Sequence, residues 1–176
     1  MNNFNLLVSS SRFNETNVKA ELWFTLLMCG DKYPIISDLE YSGLIAASTS
    51  LNAKEVIEKI KNTLKKDSYF FQYLLKIIPI DFVCEANVQM ISEVVKLHYK
   101  EYINNDESFK IDLNRRNSDI IERNVLIDSI AKNIENRVDL KNPDKTIRIE
   151  LLYNYCGVSF LKSDDILDIK NRYNKP

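Results

Sequence analysis

Glycine is nearly missing from this chain, with 3 among 176 residues. That excludes a phosphate-cradling loop of several glycines, in which each missing Cβ lets the backbone approach the ligand. Histidine occurs once, at His98, so any Ser–His or Cys–His nucleophile pair has a single possible base. His98 falls on the apolar stripe of its segment and reads as a packed or rim side chain. The three cysteines, Cys29, Cys84 and Cys156, lie too far apart in sequence to suggest a disulfide framework or a metal-ligand pair. Each has apolar neighbours, as a small buried hydrophobe in a reducing compartment does. No window approaches the roughly 18 apolar residues of a membrane span. The first residues, Met1-Asn2-Asn3-Phe4-Asn5, contain no basic residue leading into an apolar run, so no secretory signal is expected. A cytoplasmic protein without membrane contact is the expectation. The formal charge of −1 gives no global basic field, so any surface for a polyanion must be local.

The residues that are present describe a globular chain, 45% hydrophobic and 28% charged. Phe4 to Ser10 reads as a short buried strand. Val18, Leu22, Leu26 and Cys29 then recur at helical spacing, and Gly30 suits the helix end. Tyr33 to Ser37 and Gly43 to Ser48 read as a hairpin. Asn52 and Glu55 have capping-box spacing ahead of a helix that buries Ala53, Val56, Ile57, Ile60 and Leu64. Tyr69 to Ile78 is a strand that Pro79 terminates or confines to an edge. The order β-α-β-β-α-β predicts a ferredoxin-like sandwich over residues 1–86. Periodicity lapses from Asp81 to Asn87, and a second α/β module is predicted over residues 87–176. It begins with a helix carrying Val88, Ile91, Val95, His98 and Tyr102, followed by an alternating strand, Phe109 to Leu113. A helix from about Asp119 to Arg137, capped by Ser118, is predicted to bury Ile127, Ile130, Ile134 and Val138. A hairpin of Thr146–Leu152 and Gly157–Leu161 closes the module, and Ser163 to Pro176 reads as a loose tail. The fold class is α+β.

No arrangement of residues predicts catalysis. The carboxylate pairs Asp106-Glu107 and Asp164-Asp165 lie in solvated polar runs, and zinc spacing and dinucleotide fingerprints are absent. No catalytic residue, metal or cofactor is expected. What stands out is a local pattern of cations. Lys110, Arg115 and Arg116, with Asn114 and Asn117 beside them, cross a strand and its exit. Arg123 follows in the next helix, and Lys141, Asn142 and Lys145 surround Pro143. Cations near a helix N-terminus oppose its dipole, which points to an outside anion such as phosphate. Acids interleave at Asp112, Asp119, Glu122, Asp139 and Asp144, so the pattern alone leaves RNA binding and a plain solvated face both open. Most tyrosines lie in apolar patterns, Tyr69 and Tyr73 near a strand and Tyr99 and Tyr102 on a helix, and read as core.

Three stretches, "FKIDLNRRNS" at 109–118, "ERNVLIDSIAKNIENR" and "VDLKNPDKTIRIELL" followed by "GVSFL", resemble the THUMP domain of tRNA-modifying proteins. The preceding part, including "YLLKIIPIDFVCEA", is similar to the ferredoxin-like module that accompanies it. The resemblance implies binding of the tRNA acceptor stem and 3′-CCA end through Lys110, Asn114, Arg115, Arg116, Arg123, Lys141, Asn142 and Lys145. Pro143 would stiffen the loop, and Asp139 would accept hydrogen bonds from its amides. The cations are expected to converge on one patch. A two-module chain of this kind looks like the tRNA acetyltransferase adaptors, which implies a non-catalytic role beside an RNA acetyltransferase that makes N4-acetylcytidine. The alternatives are an RNA-binding subunit of a tRNA thiouridine synthase or methyltransferase, and a protein–protein scaffold that does not bind RNA.

Overall fold

The structure, a computed structural model, describes residues 3–116 and 121–169. The chain divides into two compact units. Of the described residues, 3–80 and 165–169 make the first, and 81–116 and 121–164 the second.

The first unit contains β1 (Leu6–Ser10), α1 (Glu15–Cys29), β2 (Ile35–Asp38), β3 (Leu44–Ser48), α2 (Ala53–Lys66) and β4 (Leu74–Pro79). The short β9 (Leu167–Asp168) returns to join them, giving the strand order β2-β3-β1-β4-β9. Every neighbouring pair is antiparallel. Alternation places Leu6 and Val8 of β1 with Ile45 and Ala47 of β3 on one face, where Val18, Leu22 and Leu26 of α1 and Ile57 and Ile60 of α2 complete a core. Gly30 adopts φ 103 at the end of α1, a left-handed conformation that a Cβ would strain, and its amide reaches the Leu27 carbonyl. Asn52 caps α2 by accepting from the amides of Lys54 and Glu55. The Glu21 carboxylate on α1 receives the amides of Gln72, Tyr73 and Leu74, pinning the entry to β4.

The second unit contains β5 (Phe82–Glu85), α3 (Val88–Tyr102), β6 (Phe109–Arg116), α4 (Arg123–Ala131), β7 (Lys145–Leu152) and β8 (Tyr155–Leu161), with strand order β5-β8-β7-β6. β6 and β7 are parallel, so the chain crosses back through α4 between them. Ile91 and Val95 of α3 and Leu126 and Ile130 of α4 pack on Phe109, Leu113, Ile147, Ile149, Val158 and Phe160. His98 stacks on Phe82 at 4.1 Å, and its Nδ1 lies 3.0 Å from Glu101.

Several elements differ from the sequence expectation. β5 lies on the N-terminal side of the expected boundary but pairs with β8, and β9 lies in the expected second module but pairs with β4. α4 ends at Ala131 instead of near Arg137. The amide of Phe109 donates to the Arg137 carbonyl and the Phe109 carbonyl accepts from the amide of Asp139, drawing residues 137–139 into a bridge beside β6. Val138 is therefore exposed, and Leu126 fills the core position expected of Ile127. Tyr69 is also solvent-exposed, because the turn before β4 starts at Asp67 and the strand only at Leu74. The expected cap Ser118, together with Asn117 and Asp119, lies outside the described residues.

Candidate nucleic-acid interface

β6 is an edge strand, and alternation divides its polar residues between two faces. Arg115 shares a face with the buried Phe109 and Leu113, on the helix side. Lys110, Asp112, Asn114 and Arg116 share the opposite face. At the C-terminal end of β6, exposed Arg115 donates from Nη1 to the Ile121 carbonyl at 3.3 Å. Arg123 donates from Nη1 to the Leu113 carbonyl at 3.1 Å. The Nε of Arg116 is buried, with no hydrogen-bond partner among the described residues. Glu122, which precedes α4, makes no side-chain cap to the first amides of α4. Arg115, Arg123 and a helix N-terminus thus lie together at one end of the strand, with Arg116 at the same level on the opposite face.

The proline bend lies at the other end. Phe109 pairs with Lys145, whereas Arg116 pairs with Leu152. Seven residues of strand separate the two levels, roughly 23 Å at ~3.3 Å per residue. The cations therefore form two clusters and not the single patch expected. In the bend, Asp139 accepts from the amides of Lys141 at 3.0 Å and Asn142 at 2.9 Å. Those two amides, Asn142 foremost, hold its carboxyl below the usual carboxylate range. Asp144 is lowered likewise, by the Ser108 hydroxyl first and the Ser108 amide second. Pro143 sits between these two anchored carboxylates. Lys141 and Asn142 are exposed on the loop. Lys145 is turned inward, its side chain 12% exposed, with Nζ donating to the Tyr102 carbonyl at 2.7 Å and lying 3.7 Å from Glu107.

Asn114, two residues before the arginine end of β6, is engaged too: it donates to Glu150 at 2.8 Å. Glu150 is fully buried and also receives Arg148, which bridges onward to Asp112. In the sequence this network shows only as Arg148 and Glu150 two residues apart, opposite in phase to Ile147 and Ile149. Cys84 and Cys156, far apart in sequence, stand directly opposite in the β5–β8 ladder. Contact with the Cys156 thiol is the first cause lowering the Cys84 pKa, while Cys156 is raised. A further groove of about 370 Å³ runs between α3 and α4, lined by Ser92, Lys96, Ser129 and Lys132 among others. Among the described residues, no three His, Cys, Asp or Glu side chains are placed to hold a metal ion. None of the described helices is long and apolar enough to cross a membrane.

The family model for the THUMP domain matches residues 85–161, the span from the end of β5 through β8. The second unit is a THUMP domain. The chain is 33% identical over 123 residues to the THUMP domain-containing protein 1 homolog of Drosophila melanogaster, covering 66% of this chain and 36% of that protein. It is 27% identical over 128 residues to the tRNA acetyltransferase TAN1 of Saccharomyces cerevisiae, covering 65% of this chain and 42% of that protein. The matched part is thus well under half the length of either relative. Among solved structures, a 4-thiouridine synthetase in complex with RNA and ATP shares the fold, with a TM-score of 0.57 and 14% identity. That likeness covers 94% of this chain and 42% of the synthetase. Both clusters of cations, and β6 between them, belong to the THUMP unit.

Proposed function

We propose that this chain is a tRNA-binding adaptor that presents tRNA to a separate RNA acetyltransferase for N4-acetylcytidine formation. The observation that carries the reading is the THUMP domain together with the likeness to the tRNA acetyltransferase TAN1. The geometry adds a mechanism. Phosphates of a nucleic-acid backbone meet Arg115, Arg116 and Arg123 at one end of β6 and Lys141 and Asn142 at the other. RNA lying along β6, whose ends are roughly 23 Å apart, touches both clusters, reading shape and backbone more than base identity. The acceptor stem and 3′-CCA end are the proposed target. Lys110 faces the backbone between the clusters. Asp139 and Pro143 hold the bend in shape before the RNA arrives, which limits the entropy lost on binding. Lys145 and Asn114 support the site from within, since their polar atoms are already satisfied.

In this reading the acetyl transfer belongs to the partner. The chain alone, given tRNA and acetyl-coenzyme A, yields no N4-acetylcytidine, and adding the partner acetyltransferase restores it. Acetylation by the chain alone would overturn the adaptor role. The fold shared with a 4-thiouridine synthetase favours one second reading, a tRNA-binding subunit of a thiouridine synthase or methyltransferase. Mapping modified nucleosides in total tRNA with and without the chain separates the two. Loss of N4-acetylcytidine supports the first, and loss of a thiolated or methylated nucleoside the second.

A further inference from the structure

β5 and β8 run antiparallel at one edge of the THUMP sheet, in the register Val83↔Gly157, Cys84↔Cys156 and Glu85↔Tyr155. Directly opposite residues of such a pair point to the same face, with Cα atoms ~4.5–5.5 Å apart. A disulfide spans Cα separations of roughly 4.4–6.8 Å, so the backbone already stands at bridging distance. The shared face is the helix side. Cys156 is fully buried in the core with Val158 and Phe160, and Cys84 and Phe82 pack against that core. Both thiols are free and in contact, each being the first cause of the other's shifted acidity. Their surroundings are unequal. Cys156 lies between β5 and β7, shut off from solvent. Cys84 is partly exposed on β5, a four-residue edge strand with β8 as its one sheet neighbour among the described residues. Bringing the two Cβ atoms to the ~3.8 Å of a disulfide asks for a shift on the order of 1 Å, which a strand held on one side can make.

We propose that Cys84 and Cys156 form an oxidisable dithiol site, which low-molecular-weight disulfides of the glutathione class convert to an intramolecular disulfide that staples β5 to β8. Cys84 reacts first, because it is the thiol that solvent reaches and its lowered pKa enlarges the thiolate fraction. Its thiolate attacks one sulfur of the small disulfide. A mixed disulfide forms on Cys84, and the first small thiolate leaves with the electron pair of the broken S–S bond. The Cys156 sulfur, giving up its proton, then attacks the Cys84 sulfur, and the second small thiolate leaves in the same way. The protein loses two hydrogens and the small disulfide is reduced to two thiols, so atoms and electrons balance. Burial keeps Cys156 from meeting the reagent first. Between the two cysteines lie α3, β6, α4 and β7, so the bond closes nearly the whole THUMP unit into one loop. Closing a loop of that length restricts the unfolded chain and stabilises the folded one. Under reducing conditions the thiols stay apart and β5 is held by its ladder alone. Closure of the pair rests on the β5–β8 register and needs no RNA.

The experiment holds the folded full chain in glutathione buffers of rising oxidised-to-reduced ratio, alkylates the remaining thiols, and maps peptides by mass spectrometry without reduction. The expected result is a linked pair of peptides carrying Cys84 and Cys156 of one copy, which dithiothreitol reverses. The linked chain melts several degrees above the reduced one. Cys156→Ala stops at a glutathione mixed disulfide on Cys84, an adduct that the unaltered chain does not accumulate. Cys84→Ala leaves Cys156 unmodified, and Cys29→Ala, altered in the other unit, still forms the link. Circular dichroism checks that each variant is folded, and where one is not, the unaltered chain decides by itself. Absence of the linked pair at every ratio overturns the proposal. So does a glutathione adduct on Cys84 that persists in the unaltered chain, a link between two copies, or a linked chain that melts no higher than the reduced one.

Discussion

The two units use their carboxylates alike and differ in what they leave outside. In the first, Glu21 holds three strand-entry amides, and Asp31 accepts from Thr49, Ser50 and the Tyr33 amide. In the second, Asp139 and Asp144 hold the proline bend, and Asp81 receives the Phe160 amide at 2.7 Å. Each unit thus turns acids onto its own backbone. The cations left outward in the THUMP unit include Arg115, Arg123 and Lys141, with Lys96 and Lys132 on its helices. On α1 of the first unit the outward surplus is Trp23, Phe24 and Met28. One surface suits a polyanion and the other is apolar. A chain with net charge −1 can still present local cations, because Glu150 is buried and Asp139 and Asp144 are engaged by donors of their own unit.

The largest effect expected in testing this contrast is on stability. Glu150→Ala would leave Arg148 in a buried site without its main partner and Asn114 without an acceptor, at a cost of about 3–5 kcal/mol. Denaturant unfolding measures it, and a loss below about 1 kcal/mol would show the network to be incidental. In the first unit, Glu21→Ala frees three amides and costs about 1–3 kcal/mol, smaller because the group is partly solvated. Next comes binding. Arg115→Ala with Arg116→Ala weakens tRNA retention about 5–150-fold, or about 1–3 kcal/mol. Lys96→Ala tests a cation away from β6, and an equal loss there would move the interface to the α3–α4 groove.

The smallest effect expected is on pH dependence. The folded-state pKa values of Asp139 and Asp144 are depressed, so their contribution is present above the unfolded value near 3.8 and lost as pH falls through the folded values. Below about pH 4 the chain loses stability, and Asp139→Asn flattens part of that slope. An unchanged slope in the variant would mean the bend is not held by ionised Asp139.

Periodicity made most elements legible in the sequence. The apolar stripe of α2 and its Asn52 cap are local signals and appear where the spacing puts them. β9 and the bridge at Val138 are not local: each exists because of a partner strand far away in sequence, and two or three residues carry no period. The proline bend was legible for the same reason as α2, since Asp139 reaches amides only two and three residues ahead. The grouping of the cations was not. Arg115 and Arg116 are adjacent in sequence but point to opposite faces, and the placing of Lys110 beside Thr146 depends on the parallel β6–β7 register. The inward turn of Lys145 likewise depends on where α3 ends, at the Tyr102 carbonyl.

The most direct test of the β6 edge as an RNA track is the salt dependence of tRNA binding in three proteins: the unaltered chain, Arg115→Ala with Arg116→Ala, and Lys141→Ala. With about five phosphate contacts, the slope of log affinity on log salt is about −3.5 to −4.5. Each variant makes it shallower, by roughly 0.7–0.9 per cation removed. A slope near zero in the unaltered chain, or slopes unchanged by loss of either cluster, would contradict the account.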